Sequence, residues 1–207
     1  METVPNKRRT FHRRRICKSN RIRPKETKTS QNKKCDFTTV KDKIKKAIKT
    51  KIGVDSKFIL KTMKCIPSFL GCFSENEVSS IRLQSFPSFL IVNVDQKNMP
   101  GSHWLAIGIF KNVIEIFDPL GFDVFNWTRI PCGLLNFLHR LTVSRSVNLC
   151  PKLQDSRSVL CGYYSMFYII SRSSLSLTEI INLFHKQVSK NDRRLLKLFL
   201  YVTLIIS

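Results

Sequence analysis

With 207 residues and a formal net charge of +22, the chain is long enough for one domain of ordinary size and far too basic to be indifferent to polyanions. The charge is uneven: residues 1–64 carry 22 Lys and Arg against 5 Asp and Glu, a net +17, while the remaining 143 carry 14 against 9, a net +5. The longest uncharged apolar run near the end, Leu198–Ser207, is far short of a spanning helix, so no membrane association is expected.

Taken in order, residues 1–53 read as a disordered basic arm. Lys7-Arg8-Arg9 and Arg13-Arg14-Arg15 are followed by scattered Lys, Ser, Thr and Asn, with few apolar residues to offset the entropy of ordering the backbone. Within it, Lys41–Ile52 places Ile44, Ala47, Ile48 and Ile52 at helical spacing among lysines, a weak basic helix expected to order on binding. The two arginine clusters are the expected DNA-binding residues, through phosphate neutralisation without base preference. A nuclear import signal, a leader removed by proteolysis and a solvated tail are the competing readings of the same charge.

Residues 54–207 read as the folded domain, of α+β class. Asp55 or Ser56 caps a helix over Lys57–Cys65 that Pro67 stops, and Phe69–Phe73 crosses the core. Ser88–Asp95, His103–Phe110 and Val113–Asp118 alternate like strands, with Lys111-Asn112 as a tight connection and an antiparallel-rich sheet as the result. Pro131 opens a helix over Cys132–Leu141, and Thr142–Leu149 alternates like another strand. Three helical stretches follow: Cys161–Arg172, Thr178–Val188 and Asp192 to about Thr203.

The chemistry gathers at the first of these stretches. Cys161-Gly162 opens an apolar and aromatic run, so the thiol sits at a helix N-terminus, where unpaired N–H groups and the macrodipole favour the thiolate. Seven positions upstream, Gln154 offers a side-chain amide that can donate, with the Cys161 backbone N–H, to an oxyanion. Alone, a cysteine in such a run is more often a small core hydrophobe; a matching base decides the matter. If Lys111 and Asn112 form a two-residue loop, Phe110 faces Val113 and Leu105 faces Asp118. Because side chains alternate with period two, His103 and Asp118 then become diagonal neighbours at one end of the stripe Leu105, Ile107, Ile109, Ile114 and Ile116. Nucleophile, base, base orienter and oxyanion donor are then all present. Gly162 lets a substrate backbone come close. The bland alternatives are a strand-end histidine and a turn aspartate before Pro119.

Seven cysteines, at 17, 35, 65, 72, 132, 150 and 161, include no C-x-x-C pair. No zinc or other metal site is expected from their spacing. Their odd number and the lack of an apolar signal-peptide core after Met1 point to a reducing compartment.

Gly101-Ser102-His103-Trp104, Phe117-Asp118-Pro119-Leu120-Gly121-Phe122, Gln154 and Cys161-Gly162 resemble the adenovirus endopeptidase family, including the adenain-like proteases of Maverick or Polinton elements. Ile66-Pro67-Ser68-Phe69-Leu70-Gly71 looks like that family's early Pro-x-Phe-Leu-Gly segment, and the similarity runs over about Lys57–Tyr168. The resemblance implies a papain-like, adenain-like fold in which a helix bearing the nucleophile packs on a sheet bearing His and the acid. It implies a thiol protease that cleaves viral or virus-like precursor proteins, often at small residues, in virion maturation, and a setting in the host nucleus or virion. By analogy with the related SUMO-deconjugating proteases, Trp104 covers a narrow substrate cleft; packing on the sheet's second face with Phe110 and Phe117 is the alternative. The family's acid is Glu, where this chain has Asp118. Its activating peptide binds a cysteine ahead of the Gln, a role that Cys150 lies too near Gln154 to inherit. No cofactor is required on this reading; DNA and an activating peptide are the candidates, with precursor proteins and DNA as partners of a monomer. A deconjugating protease for a ubiquitin-like modifier and a non-enzymatic basic nucleic-acid binder are the alternatives.

Overall fold

The computed structural model describes residues 38–123 and 130–206. Lys7, Arg8, Arg9, Arg13, Arg14 and Arg15, the expected DNA-binding clusters, lie outside the described residues. Five strands form one sheet in the order β1-β2-β3-β4-β5: β1 (Phe69–Ser74), β2 (Ser88–Asn93), β3 (Trp104–Ile109), β4 (Val113–Phe117) and β5 (Ser146–Leu149). The inner pairs, β2 with β3 and β3 with β4, are antiparallel. The outer pairs are parallel, a detail that strand periodicity does not report. The connections explain it. Between β1 and β2 runs a long segment that includes the one-turn helix α3 (Glu75–Val78), and between β4 and β5 lies α4 (Cys132–Thr142); both are long enough for the chain to cross over and re-enter in the same direction.

The sheet lies between two helical layers, so the strands read as near-continuous apolar runs, and every residue of β2 is buried. On one face Leu105, Ile107, Ile109, Ile114 and Ile116 pack under Val78 of α3 and Leu134, Phe137 and Leu138 of α4. On the other, Phe89, Ile91, Ala106 and Phe117 meet α5 (Cys161–Ser171), all of whose residues are buried, as befits a helix that is apolar on every side. The far end of α5 is fixed by a partly buried ion pair. Arg172 Nε donates to Glu115 Oε2 at 2.7 Å and Tyr168 Oη donates to the same oxygen at 2.7 Å, while the guanidinium stacks over the Phe110 ring at 4.5 Å.

Around α5 stand α1 (Thr38–Thr50), α2 (Ser56–Met63), α6 (Leu177–Asn182) and α7 (Asn191–Ile206). Asp55 caps α2, its Oδ1 accepting from Phe58 N at 2.7 Å. The helix α1 carries the periodic apolar residues read as a helix that orders on binding. Here Val40, Ile44 and Ala47 are buried in the same cluster as α5 and α7, and Lys43, Lys45, Lys46 and Lys49 face solvent. Folded ground therefore begins well before Val54. Burial of that stripe against α7, which the local sequence does not reveal, stabilises the helix beyond its own propensity.

No described helix is long and apolar enough to cross a membrane. Among the described residues, no group of three or more His, Cys, Asp or Glu side chains could hold a metal ion. Among the described residues, Cys72, Cys132, Cys150 and Cys161 are free thiols.

Candidate active site

The hairpin has the register expected from a two-residue loop at Lys111-Asn112: Ala106 pairs with Phe117 and Ile109 with Ile114, and Phe110 N donates to Val113 O at 2.8 Å. His103 and Asp118 each stand one residue outside a strand, before β3 and after β4. Their side chains meet. His103 Nε2 donates to Asp118 Oδ1 at 2.9 Å, and both groups are buried. The Cys161 side chain also acts on the imidazole, helping to raise its pKa. With Nε2 occupied by Asp118, Nδ1 is the nitrogen left for the thiol.

The apolar stripe that carries His103 and Asp118 belongs to the cluster under α4, whereas α5 covers the opposite face. His103 comes near Cys161 because it lies past the strand end, at the rim of the sheet where α5 begins.

Asp118 is held by its own turn. Its Oδ1 also accepts from Leu120 N at 2.8 Å, and Gly121 N donates to Asp118 O at 2.9 Å. Gly121 has φ +72°, and a Cβ there would lie 2.5 Å from Lys152 N, so only glycine lets this turn press against the loop that carries Gln154. That loop is tied back by Leu153 N and Gln154 N, both donating to Pro119 O at 2.9 and 2.8 Å.

Gln154 is fully buried, and its Nε2 donates to Ser158 O at 3.0 Å. One of its two amide hydrogens is thus used to aim the group, and the second remains. Cys161 opens α5, so its backbone N–H has no partner within the helix. Among the described residues the buried side-chain polar atoms without a partner are Asp118 Oδ2, Gln154 Oε1 and Ser171 Oγ. Two of the three belong to this cluster, and unsatisfied buried groups of this kind concentrate where a site does something other than hold the fold.

Burial alone would lower the His103 pKa, but the hydrogen bonds and charges of Asp118 and Cys161 outweigh it and push it up to about 9. At neutral pH the imidazole is therefore cationic. Burial pushes the Cys72 thiol up to about 12. Cys150, whose Sγ lies 3.1 Å from Pro151 O, is pushed up as well, by burial first and then by the Asp118 charge. Both are held protonated at neutral pH.

Trp104 follows the histidine and donates from Nε1 to Val54 O at 3.1 Å. It forms part of the wall of a cleft of about 560 Å³ whose lining includes Val54, Leu60, Phe73, Asn93, Asp95 and Met99. Gly162 has no open space before it: a Cβ would collide with Val54 Cγ1 and lie 3.2 Å from Trp104 Cδ1. Its lack of a side chain makes room for the Val54 and Trp104 lid over the start of α5, and not directly for a substrate backbone. Phe122, packed edge-on to the His103 ring with centroids 6.4 Å apart, and the residues that anchor Gln154 were not singled out from sequence. Phe122 could have been, since it ends the Asp-Pro-Leu-Gly-Phe run.

No family model matches the chain. It is similar to a protein described as "Protease" from Human adenovirus B serotype 3, with 29% identity over 130 residues, 55% of this chain and 58% of that protein. The chain thus spans little more than half the length of that relative. Among solved structures, the ASFV pS273R protease aligns with a TM-score of 0.39 and 22% identity over 55% of this chain and 43% of its own. AvrA delL154 with IP6 and CoA aligns with a TM-score of 0.40 and 17% identity over 76% of this chain and 64% of its own.

Proposed function

We propose that the chain is a cysteine endopeptidase of adenain type. His103 is the base for the Cys161 nucleophile, Asp118 orients and charges the base, and the Gln154 amide and Cys161 N–H receive the oxyanion. The observation that carries this reading is the buried imidazole hydrogen-bonded to a buried carboxylate, with its pKa raised in part by the cysteine that opens α5. In the reaction the thiolate attacks the scissile carbonyl, and the carbonyl oxygen takes the negative charge. The imidazolium then gives its proton to the leaving amine, and water hydrolyses the thioester with His103 as base. No metal or organic cofactor enters these steps. The similarity to the adenovirus protease supports a protein substrate, with precursor cleavage during particle maturation as the setting.

The test is a cleavage profile against a peptide library, run beside a di-glycine isopeptide reporter. Small residues next to the scissile bond and little isopeptide turnover are expected. Preferential turnover of the isopeptide would move the assignment to deconjugation. Trp104→Ala should broaden the accepted residues by opening the Val54 lid; an unchanged profile with only lowered thermal stability would make Trp104 a packing residue.

A second feature of the proposal is DNA association through the arm. The motivation is the net +17 of residues 1–64, part of it displayed on the solvent face of α1. If about six phosphates are engaged, log Kd against log salt should have a slope of magnitude about 5. Because Val40, Ile44 and Ala47 of α1 are buried, truncation at Val54 would damage the fold. The informative variant replaces Lys7, Arg8, Arg9, Arg13, Arg14 and Arg15 by Gln in the full chain. Duplex affinity and salt slope equal to the parent's would remove these clusters from the mechanism.

A further inference from the structure

We propose that Asp192, in the first turn of α7, is a positioning residue for the oxyanion donor Gln154, acting through Ser158; the proposal rests on the protease reading above. The segment from Pro151 to Leu160 has no regular structure, yet it must hold a side-chain amide to within a fraction of an ångström for an oxyanion hole to work. What holds it comes from far along the chain. Ser158 Oγ donates to Asp192 Oδ1 at 2.9 Å, and the same hydroxyl accepts from Leu160 N at 3.3 Å. Ser158 O accepts the Gln154 amide at 3.0 Å. Ser158 is therefore the link between the donor and the backbone that leads directly into Cys161, and Asp192 fixes it from outside.

The neighbouring residue braces the same segment. Asn191 is fully buried, and its Nδ2 donates to Leu153 O at 2.9 Å, one residue before Gln154. Its own orientation is locked by His185, whose N donates to Asn191 Oδ1 at 2.8 Å and whose O accepts from Asn191 Nδ2 at 3.0 Å. Asp192 Oδ1 also accepts from Tyr164 Oη at 3.2 Å, so the carboxylate is referenced to α5 as well as to the loop. One carboxylate oxygen thus couples the helix that bears the nucleophile to the loop that bears the oxyanion donor. A residue needed only to start α7 would have no reason to bridge both.

The consequence is a loss confined to the transition state. In Asp192→Ala the Ser158 hydroxyl is released, and Gln154 loses its fixed aim while substrate contacts remain. Turnover should fall about tenfold to a hundredfold, with KM nearly unchanged, as expected when a group misplaced by about an ångström serves only the oxyanion. Asp192→Asn keeps an acceptor oxygen for both hydroxyls and should recover most of the turnover. Ser158→Ala, which leaves the first turn of α7 untouched, should reproduce the loss.

The experiment is a double-mutant comparison in the full chain, combined with NMR of the Gln154 side-chain amide. In the Gln154→Ala background, Asp192→Ala should cost little further turnover. Alkylation of Cys161 by iodoacetamide, which passes through no oxyanion, should proceed at the parent rate. The Gln154 amide protons should exchange about tenfold faster in Asp192→Ala and Ser158→Ala than in the parent or Asp192→Asn, since a released hydrogen bond opens more often. A full multiplicative loss in the Gln154→Ala background, or unchanged amide exchange in both single variants, would overturn the proposal. If the parent cleaves no peptide yet the exchange rates change as stated, the positioning role stands and the protease assignment is what fails.

Discussion

Cys161→Ala is expected to abolish peptide cleavage, a loss on the order of 10⁴-fold or more, because removing the nucleophile of a catalytic group that acts as a unit costs nearly the whole of its contribution. Fold loss is a poor rival explanation for this variant. The substitution removes one sulfur from a residue at the start of α5, and the helix is held elsewhere by the Arg172, Glu115 and Tyr168 network at its other end. The melting temperature should therefore move by only a few degrees. A thiol-directed peptide probe should mark Cys161 in the parent protein. Cys72 and Cys150 should stay silent, since burial keeps them protonated, and Cys132, an exposed thiol at the start of α4, is the internal control for unassisted reactivity. Cleavage by Cys161→Ala within an order of magnitude of the parent would sink the nucleophile assignment, as would probe labelling at Cys132 in preference to Cys161.

How far the sequence reaches is clear from particular elements. A two-residue loop leaves one register, so the facing of Ala106 and Phe117, and with it the approach of His103 to Asp118, followed from counting along the hairpin. Local caps were equally legible: Asp55 before α2 and Pro131 before α4 mark their helices by chemistry that needs no tertiary partner. What was not legible depends on long-range partners. The apolar stripe of α1 looks marginal beside its lysines, and only burial of Val40, Ile44 and Ala47 makes it part of the core. The parallel outer strands are set by crossover connections, which strand periodicity does not report. α3 is a single turn held by a capping box on Ser74, too short for any periodic signal. In the site, residue types and chain order were readable. The Ser158 and Asp192 link joins residues 34 apart in sequence and left no local trace.

Asp118→Ala should lower turnover on the order of a thousandfold, and Asp118→Asn should displace the alkaline limb of the pH profile. The carboxylate does two things that the structure separates. Its Oδ1 fixes the ring, since it accepts from His103 Nε2 while Leu120 N holds the same oxygen in the turn; losing it frees the imidazole to rotate away from Cys161. Its hydrogen bond and its charge, with a contribution from Cys161, hold the His103 pKa at about 9 against the opposing effect of burial. The sign follows. A pKa raised from the ordinary 6.5 means that the native state holds a proton the unfolded state gives up, so this stabilisation is complete below about pH 6.5 and is lost as pH rises through about 9. The imidazolium needed to protonate the leaving amine disappears over the same upper range. Parent activity should therefore fall above about pH 9, with thermal stability declining alongside it. Asparagine keeps an acceptor for Nε2 but removes the charge, so in Asp118→Asn the alkaline limb should move toward neutral pH, by one unit or more. The measurement is kcat/KM from pH 5 to 10.5 for both proteins, with melting temperatures at each pH. An alkaline limb that stays at the same pH in Asp118→Asn would show that the carboxylate does not set the charge state of His103, and would return Asp118 to the role of a turn residue before Pro119.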